Sequence, residues 1–269
     1  FNVADDYFGP QPGDDPALHD EKRWEDLGVI IEGPEVSRLS EYYKELSNWV
    51  SNTNNQIHLL QRMVHRWNPG DGKLRWLMGG PNSQISQWAK AVRADLENAR
   101  RFDLVSAYFS PGQGTLRRIA KLGKQGQDRL VLAGKTDNAA TIGASRLLYG
   151  YLLKRGVRLY EFQPRRLHSK LIIIDDAVYI GSANFDVRSL FINVEIMLRI
   201  EDKAFADHAR LLVDNMCEES LLITQEVYNK HKSPLNRLRW AISYFLVSVL
   251  DYTVNRRFNF GADKSKWSI

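Results

Sequence analysis

The sequence predicts an α/β protein, a mixed sheet flanked by helices on both faces. Two observations predict it. Short runs rich in β-branched residues alternate with amphipathic helical stretches from residue 74 to residue 216. The most apolar run, Leu171-Ile172-Ile173-Ile174, is followed across Asp175-Asp176-Ala177 by Val178-Tyr179-Ile180. That is the pattern of a hairpin or of two adjacent buried strands.

Each element follows in order. Leu74 to Met78 reads as a strand stopped by Gly79-Gly80-Pro81. Ser83 to Arg100 reads as a helix with Ile85, Trp88, Ala89, Val92 and Leu96 as its apolar face. Leu104 to Tyr108 is a strand, Thr115 to Leu122 a helix and Arg129 to Ala133 a strand. Thr141 to Arg155 is a helix and Val157 to Phe162 a strand. After the hairpin, Ala204 to Met216 closes the unit as a helix. Residues 73–220 thus form one α/β unit, preceded by residues 1–66 and followed by an extension over 221–269. Lys135-Thr136-Asp137-Asn138 sets small and polar residues at a strand end, where such sheets place their pockets.

Composition narrows the function. A net charge of +5 favours anionic partners, lipid headgroups or nucleic acid, without choosing between them. The single Cys217 excludes a disulfide framework and a cysteine zinc site. His19, His58, His65, His208 and His231 show no metal-ligand spacing beside carboxylates, so neither a metal nor a cofactor is expected.

The chemistry concentrates in "HSKLIIIDDAVYIGSAN", His168 to Asn184. Side chains alternate along a strand, so His168 and Lys170 point to one face. The returning strand delivers Ser182 and Asn184, also two apart. One patch thereby holds an imidazole, an ammonium, a hydroxyl and an amide, which suits a phosphate group. Asp175 is out of phase and sits at the turn, where it braces rather than reacts. By itself, His-x-Lys at a strand start is more often a solvated strand end than a site. The full spacing carries the reading.

His168, Lys170, Asp175, Gly181, Ser182 and Asn184 resemble the HKD motif of the phospholipase D superfamily. Arg188, Ser189, Asn193 and Glu195, in "FDVRSLFINVE", resemble the tail that follows this motif in bacterial cardiolipin synthases. "SAYFSP" and "LLKRGVRLYEF" resemble the same enzymes' second catalytic half, and the likeness covers most of residues 1–215. The resemblance implies phosphatidyl transfer between phospholipids, giving cardiolipin through a phosphohistidine. Phospholipase D-type or nuclease hydrolysis is the alternative within the superfamily, and a catalytically silent lipid-binding module is the alternative outside it. The family's roles carry over onto the matching residues. His168 is the general acid and base, and the histidine of the other motif is the nucleophile. Lys170, Ser182, Asn184 and Asn2 hold phosphoryl oxygens. Glu195 accepts a bond from the far imidazole nitrogen. Asp175 belongs to the catalytic motif as a structural member. The implied partners are anionic phospholipids and a membrane surface rather than nucleic acid, with peripheral attachment to the bacterial inner membrane.

The family carries two such motifs, and this chain holds one complete copy. "FNVADDYFGP" resembles the end of a first motif, with Asn2 matching Asn184. "VIIEGPEV" (Val29 to Val36) echoes "LRIEDKAF" (Leu198 to Phe205), a faint internal repeat. The spacer Gly9 to Asp26 is rich in Pro, Gly and Asp and reads as a loop. The expected fold is therefore one complete HKD half plus the tail of a preceding half, with the first His, Lys and Asp upstream of Phe1. A single-motif chain that pairs with a second copy is the alternative. Near the other end, Trp240 to Leu250 is apolar and flanked by Arg237, Arg239, Arg256 and Arg257. It is shorter than the ~20 residues a transmembrane helix needs. Residues 237–257 read equally as an interfacial membrane helix or as a helix packed on the catalytic unit.

Overall fold

A computed structural model describes residues 7, 9, 23–51, 57–81, 85–136 and 138–250, the side chains of 125, 249 and 250 excepted. The strands are β1 (Trp24–Glu25), β2 (Leu74–Gly79), β3 (Phe102–Ser106), β4 (Phe109–Ser110), β5 (Arg129–Ala133) and β6 (Arg158–Phe162). They continue as β7 (Arg166–Leu167), β8 (Lys170–Ile174), β9 (Ala177–Gly181), β10 (Phe185–Asp186), β11 (Glu195–Glu201) and β12 (Ser220–Ile223). The α-helices are α1 (Glu35–Ser51), α2 (Ile57–Arg66), α3 (Gln87–Asp95), α4 (Gln113–Leu122), α5 (Ala139–Leu153) and α6 (Val187–Phe191). Then come α7 (Lys203–Glu218), α8 (Gln225–His231) and α9 (Pro234–Tyr244), which runs into a π-helical turn over Phe245–Leu250.

Eight strands form the main sheet, in the order β12-β6-β5-β3-β8-β9-β11-β2. β3, β5 and β6 run parallel, joined by helical crossovers. The hairpin β8–β9 lies antiparallel in the centre. Side-chain alternation then sorts the apolar residues onto two faces. Leu104, Leu130, Ile172 and Ile174 meet Trp88, Ile119 and Tyr149 from α3, α4 and α5. Val105, Val131, Leu171 and Ile173 meet Tyr42, Leu60, Ala206 and Val213 from α1, α2 and α7. A strand covered on both faces has no polar side, which is why the Leu171–Ile174 run carries none.

The predicted helix over 83–100 is shorter. Ser86 caps α3 by accepting from the Ala89 N–H at 3.4 Å, and its own N–H donates to Leu190 O at 3.2 Å. The predicted strand over 104–108 ends at Ser106, because the chain leaves the sheet to form β4. β4 pairs in parallel with β10, and Ser106 Oγ donates to Tyr108 O at 2.8 Å across the bend. The spacer Gly9 to Asp26 is not loop throughout: Trp24–Glu25 is a strand paired in parallel with β7. β12 adds an edge strand that the sequence pattern did not single out.

The C-terminal helix is packed along one face only. α9 packs on α5 with Trp240 buried, and Ser243 lies against Gly143. Its opposite face is exposed at Leu235, Leu238 and Ile242. Residues 251–257 lie outside the described residues, as does Asn2.

Candidate active site

The site lies where β8 begins and β9 ends. Lys170 starts β8, opposite Ser106 at the C-terminal end of β3. Gly181 ends β9, and Ser182 follows at once. A glycine is needed there: a Cβ at position 181 would stand 2.1 Å from Ile196 O and 2.8 Å from Met197 Sδ. Strand β11 thus presses against the backbone and sets Glu195 beside Ser182.

His168 precedes the strand rather than lying on it. The N–H groups of His168 and Ser169 both donate to Glu25 O, at 2.8 and 3.0 Å. The β1–β7 bridge therefore fixes this turn and brings Asp26 to the imidazole. His168 Nδ1 lies 2.8 Å from Asp26 Oδ2. Burial raises the Asp26 pKa, but the His168 hydrogen bond and the Lys170 charge outweigh it, and the net shift is downward. Asp26 is thus an ionised acceptor, so Nδ1 carries the proton and Nε2 is the atom left to exchange one. Trp24 and Tyr7 stack on each other at 5.7 Å, and both meet the imidazole nearly edge-on, at 5.6 and 5.4 Å. Arg166 lies over Trp24.

Lys170 is buried, and its ammonium donates to His168 O. Burial pushes its pKa down to about 8, with Asp26, Glu195 and Asp186 partly offsetting that fall. Asn184 Oδ1 is buried without a hydrogen-bond partner among the described residues. Asp186 caps α6 by accepting from the Ser189 N–H at 2.8 Å, and burial raises its pKa to about 6.

Glu195 does not hold His168. It accepts from Ser182 Oγ at 2.5 Å, Ser189 Oγ at 2.9 Å and Asn193 Nδ2 at 3.1 Å. This corrects the expectation that it fixes the imidazole of its own motif; the near end of β11 faces Ser182, and Asp26 already occupies Nδ1. Asp175, named with the catalytic motif as its structural member, stands away from the pocket. It lies at the far end of β8, five residues from Lys170, or roughly 16 Å at the rise of a strand. It has φ +48° and accepts from the N–H groups of Arg100 and Arg101 at 3.0 and 2.9 Å. Ser182 Oγ, expected on phosphate, is engaged by Glu195 and by the Ile196 N–H at 3.0 Å.

Asp26 was missed. The repeat held the signal: when "VIIEGPEV" is laid on "LRIEDKAF", Asp26 falls on Glu195, each three residues before the echo begins. His58, His65, His208 and His231 are exposed, on helices α2, α7 and α8. His168 is the one imidazole of the site among the described residues, and no group of three or more metal-ligating side chains occurs among them.

Residues 92–217 match the family described as Cardiolipin synthase, PLD-like domain. They form a phospholipase D-like domain. Cardiolipin synthase A of Pseudomonas entomophila strain L48 is 31% identical over 229 residues, 84% of this chain and 45% of that protein. Cardiolipin synthase A of Pseudomonas putida strain GB-1 is similar to the same extent. The chain thus spans about half the length of the curated relatives it matches. Among solved structures, phosphatidylserine synthase of Haemophilus influenzae Rd KW20 aligns with a TM-score of 0.49 and 14% identity, over 69% of this chain and 47% of that one. The phospholipase D family member Nuc of Salmonella typhimurium aligns with a TM-score of 0.47 and 18% identity, over 56% of this chain and 99% of that one. The phospholipase D-like domain contains His168, Lys170, Asn184 and Glu195. Asp26 lies before it, so the site joins the domain to the segment that precedes it.

Proposed function

We propose that this chain supplies one half of a phosphatidyltransferase site that joins two phospholipids into cardiolipin. The observation that carries the reading is the Asp26–His168 pair beside the buried Lys170. The similarity to cardiolipin synthases supports the lipid substrate.

In this scheme a second imidazole attacks phosphorus and forms a phosphohistidine. The P–O bond to the leaving alcohol breaks, and His168 Nε2 gives that oxygen its proton. The neutral imidazole next takes the proton of an incoming lipid hydroxyl. The new alkoxide then displaces the phosphohistidine nitrogen, and both imidazoles return to their starting states. Asp26 holds the Nδ1 proton in place and stabilises the imidazolium between donations. Lys170 and Asn184 carry the phosphoryl oxygens, and Asn2 joins them from the other half. The echo that sets Asp26 on Glu195 makes Glu195 the acceptor for the second imidazole. That imidazole comes from an upstream motif or from a second copy of the chain.

Thin-layer analysis of lipids from cells expressing the whole protein tests the reading. New cardiolipin, absent with His168→Ala, is the expected result. Phosphatidic acid without cardiolipin would replace transfer by hydrolysis.

A further inference from the structure

Helix α9 and the turn after it leave one apolar stripe uncovered. Leu235, Leu238, Ile242, Phe245 and Leu246 are 58, 59, 50, 51 and 44% exposed. They recur at the spacing of one helical face, a stripe about 100° wide at 3.6 residues per turn. Trp240 lies on the opposite face, buried and stacked on Tyr228 at 5.7 Å. The helix is therefore anchored by one side and bare on the other.

Charge says what covers the bare side. From Lys230 to Leu250 the chain carries Lys230, Lys232, Arg237 and Arg239 and no acidic residue. Lys232, Arg237 and Arg239 are exposed along with the stripe. An apolar stripe flanked by Arg239, on a segment with exposed cations and no acidic residue, matches a bilayer surface with anionic headgroups, where apolar side chains enter the interface and cations meet phosphate. A stripe one helix wide is narrow for a stable dimer, which buries about 800 Å² on each partner.

Position supports the same occupant. Ser243, near the end of α9, lies against Gly143 in the first half of α5, while Tyr228 of the preceding α8 lies against Gly150. Asn138 caps the start of α5, beyond the end of β5 that adjoins Ser106 and Lys170. Ser145 of α5 also donates to Phe109 O, in the strand paired with β10 just after Asn184. The Phe245–Leu246 end of the stripe thus lies toward the site edge of the sheet.

We propose that α9 and the turn after it form an interfacial docking face for anionic lipid bilayers, with the site edge turned toward the headgroups. The proposal builds on the lipid reading of the site but not on its chemistry, so its test reads binding without turnover. The full chain and a Leu238→Glu/Ile242→Glu variant are floated with vesicles of phosphatidylglycerol and phosphatidylcholine in equal parts, and with phosphatidylcholine alone. Wild type is expected to float with the anionic vesicles and much less with the neutral ones. The variant should lose at least about tenfold in partition with an unchanged Tm. Equal flotation of variant and wild type would overturn the proposal, as would a wild type that stays in the dense fraction. A wild-type dimer split by the substitutions would assign the stripe to a second copy instead. A fall in Tm of several degrees would show that the chain's own residues cover it. A protein that floats as expected yet makes no cardiolipin would sink the proposed reaction and leave this face standing.

Discussion

At the scale of the residue, the account rests on two protonation states. Asp26 is ionised and holds the Nδ1 proton of His168, leaving Nε2 to exchange one. Asp26→Asn keeps the size but replaces an anionic acceptor with an amide that stabilises no imidazolium. Transfer should fall about 10²-fold or more, with little change in binding, read as a loss in kcat at nearly constant KM. Lys170 supplies the second state. Its pKa falls from 10.5 to about 8 because burial disfavours the ammonium. Activity should therefore decline as pH rises through about 8, where the phosphate loses its cation. Stability should move the other way. Between about 8 and 10.5 the unfolded chain binds more protons at this lysine than the folded one, so Lys170 makes unfolding harder as pH rises. Paired activity and urea-denaturation profiles check both signs, and Lys170→Met should flatten this contribution to stability.

Among the elements, the β8–β9 hairpin divides its labour between its ends. The site end needs Gly181, where β11 approaches too closely for a side chain. The turn end needs Asp175, whose carboxylate takes the Arg100 and Arg101 N–H groups while its backbone sits at φ +48°. Asp175→Ala should cost about 1–3 kcal/mol from two lost acceptor bonds and the unfavourable φ. Calorimetry should show the loss of Tm, while kcat well below that Tm stays near wild type. A collapse of kcat in a folded Asp175→Ala protein would return this residue to the chemistry. Most of these elements were legible in the sequence. The hairpin could be read because its strands are short, apolar and adjacent in the chain. β1–β7 and β4–β10 could not, because each is two residues long and has no period of its own. Asp26 escaped for a related reason: it meets His168 across 142 residues, inside a spacer whose prolines and glycines signal a loop. Only the faint repeat pointed to it. Glu195 was legible as a site residue but not in its bonds, since three donors from its own half satisfy it.

For the whole molecule, the sheet joins a phospholipase D-like domain to the segment before it through the β2–β11 ladder, and the site joins them through one imidazole and one carboxylate. The proposed chemistry routes every proton through imidazoles and every negative charge to Lys170 or an amide, so transfer should survive EDTA. Loss in chelator, restored by a divalent ion with lipid packing controlled, would count against the phosphohistidine scheme. The most direct measurement separates the two imidazoles by leaving group. A p-nitrophenyl ester of phosphatidic acid releases nitrophenolate without help from an acid. The whole protein with His168→Ala should still release one nitrophenolate per site in a burst, then stall, because no base activates the second alcohol. On a natural lipid, whose leaving alcohol needs a proton, the same variant should lose about 10²-fold or more. Absence of the burst, or steady wild-type turnover on the natural lipid, would contradict the role of His168 as the general acid and base.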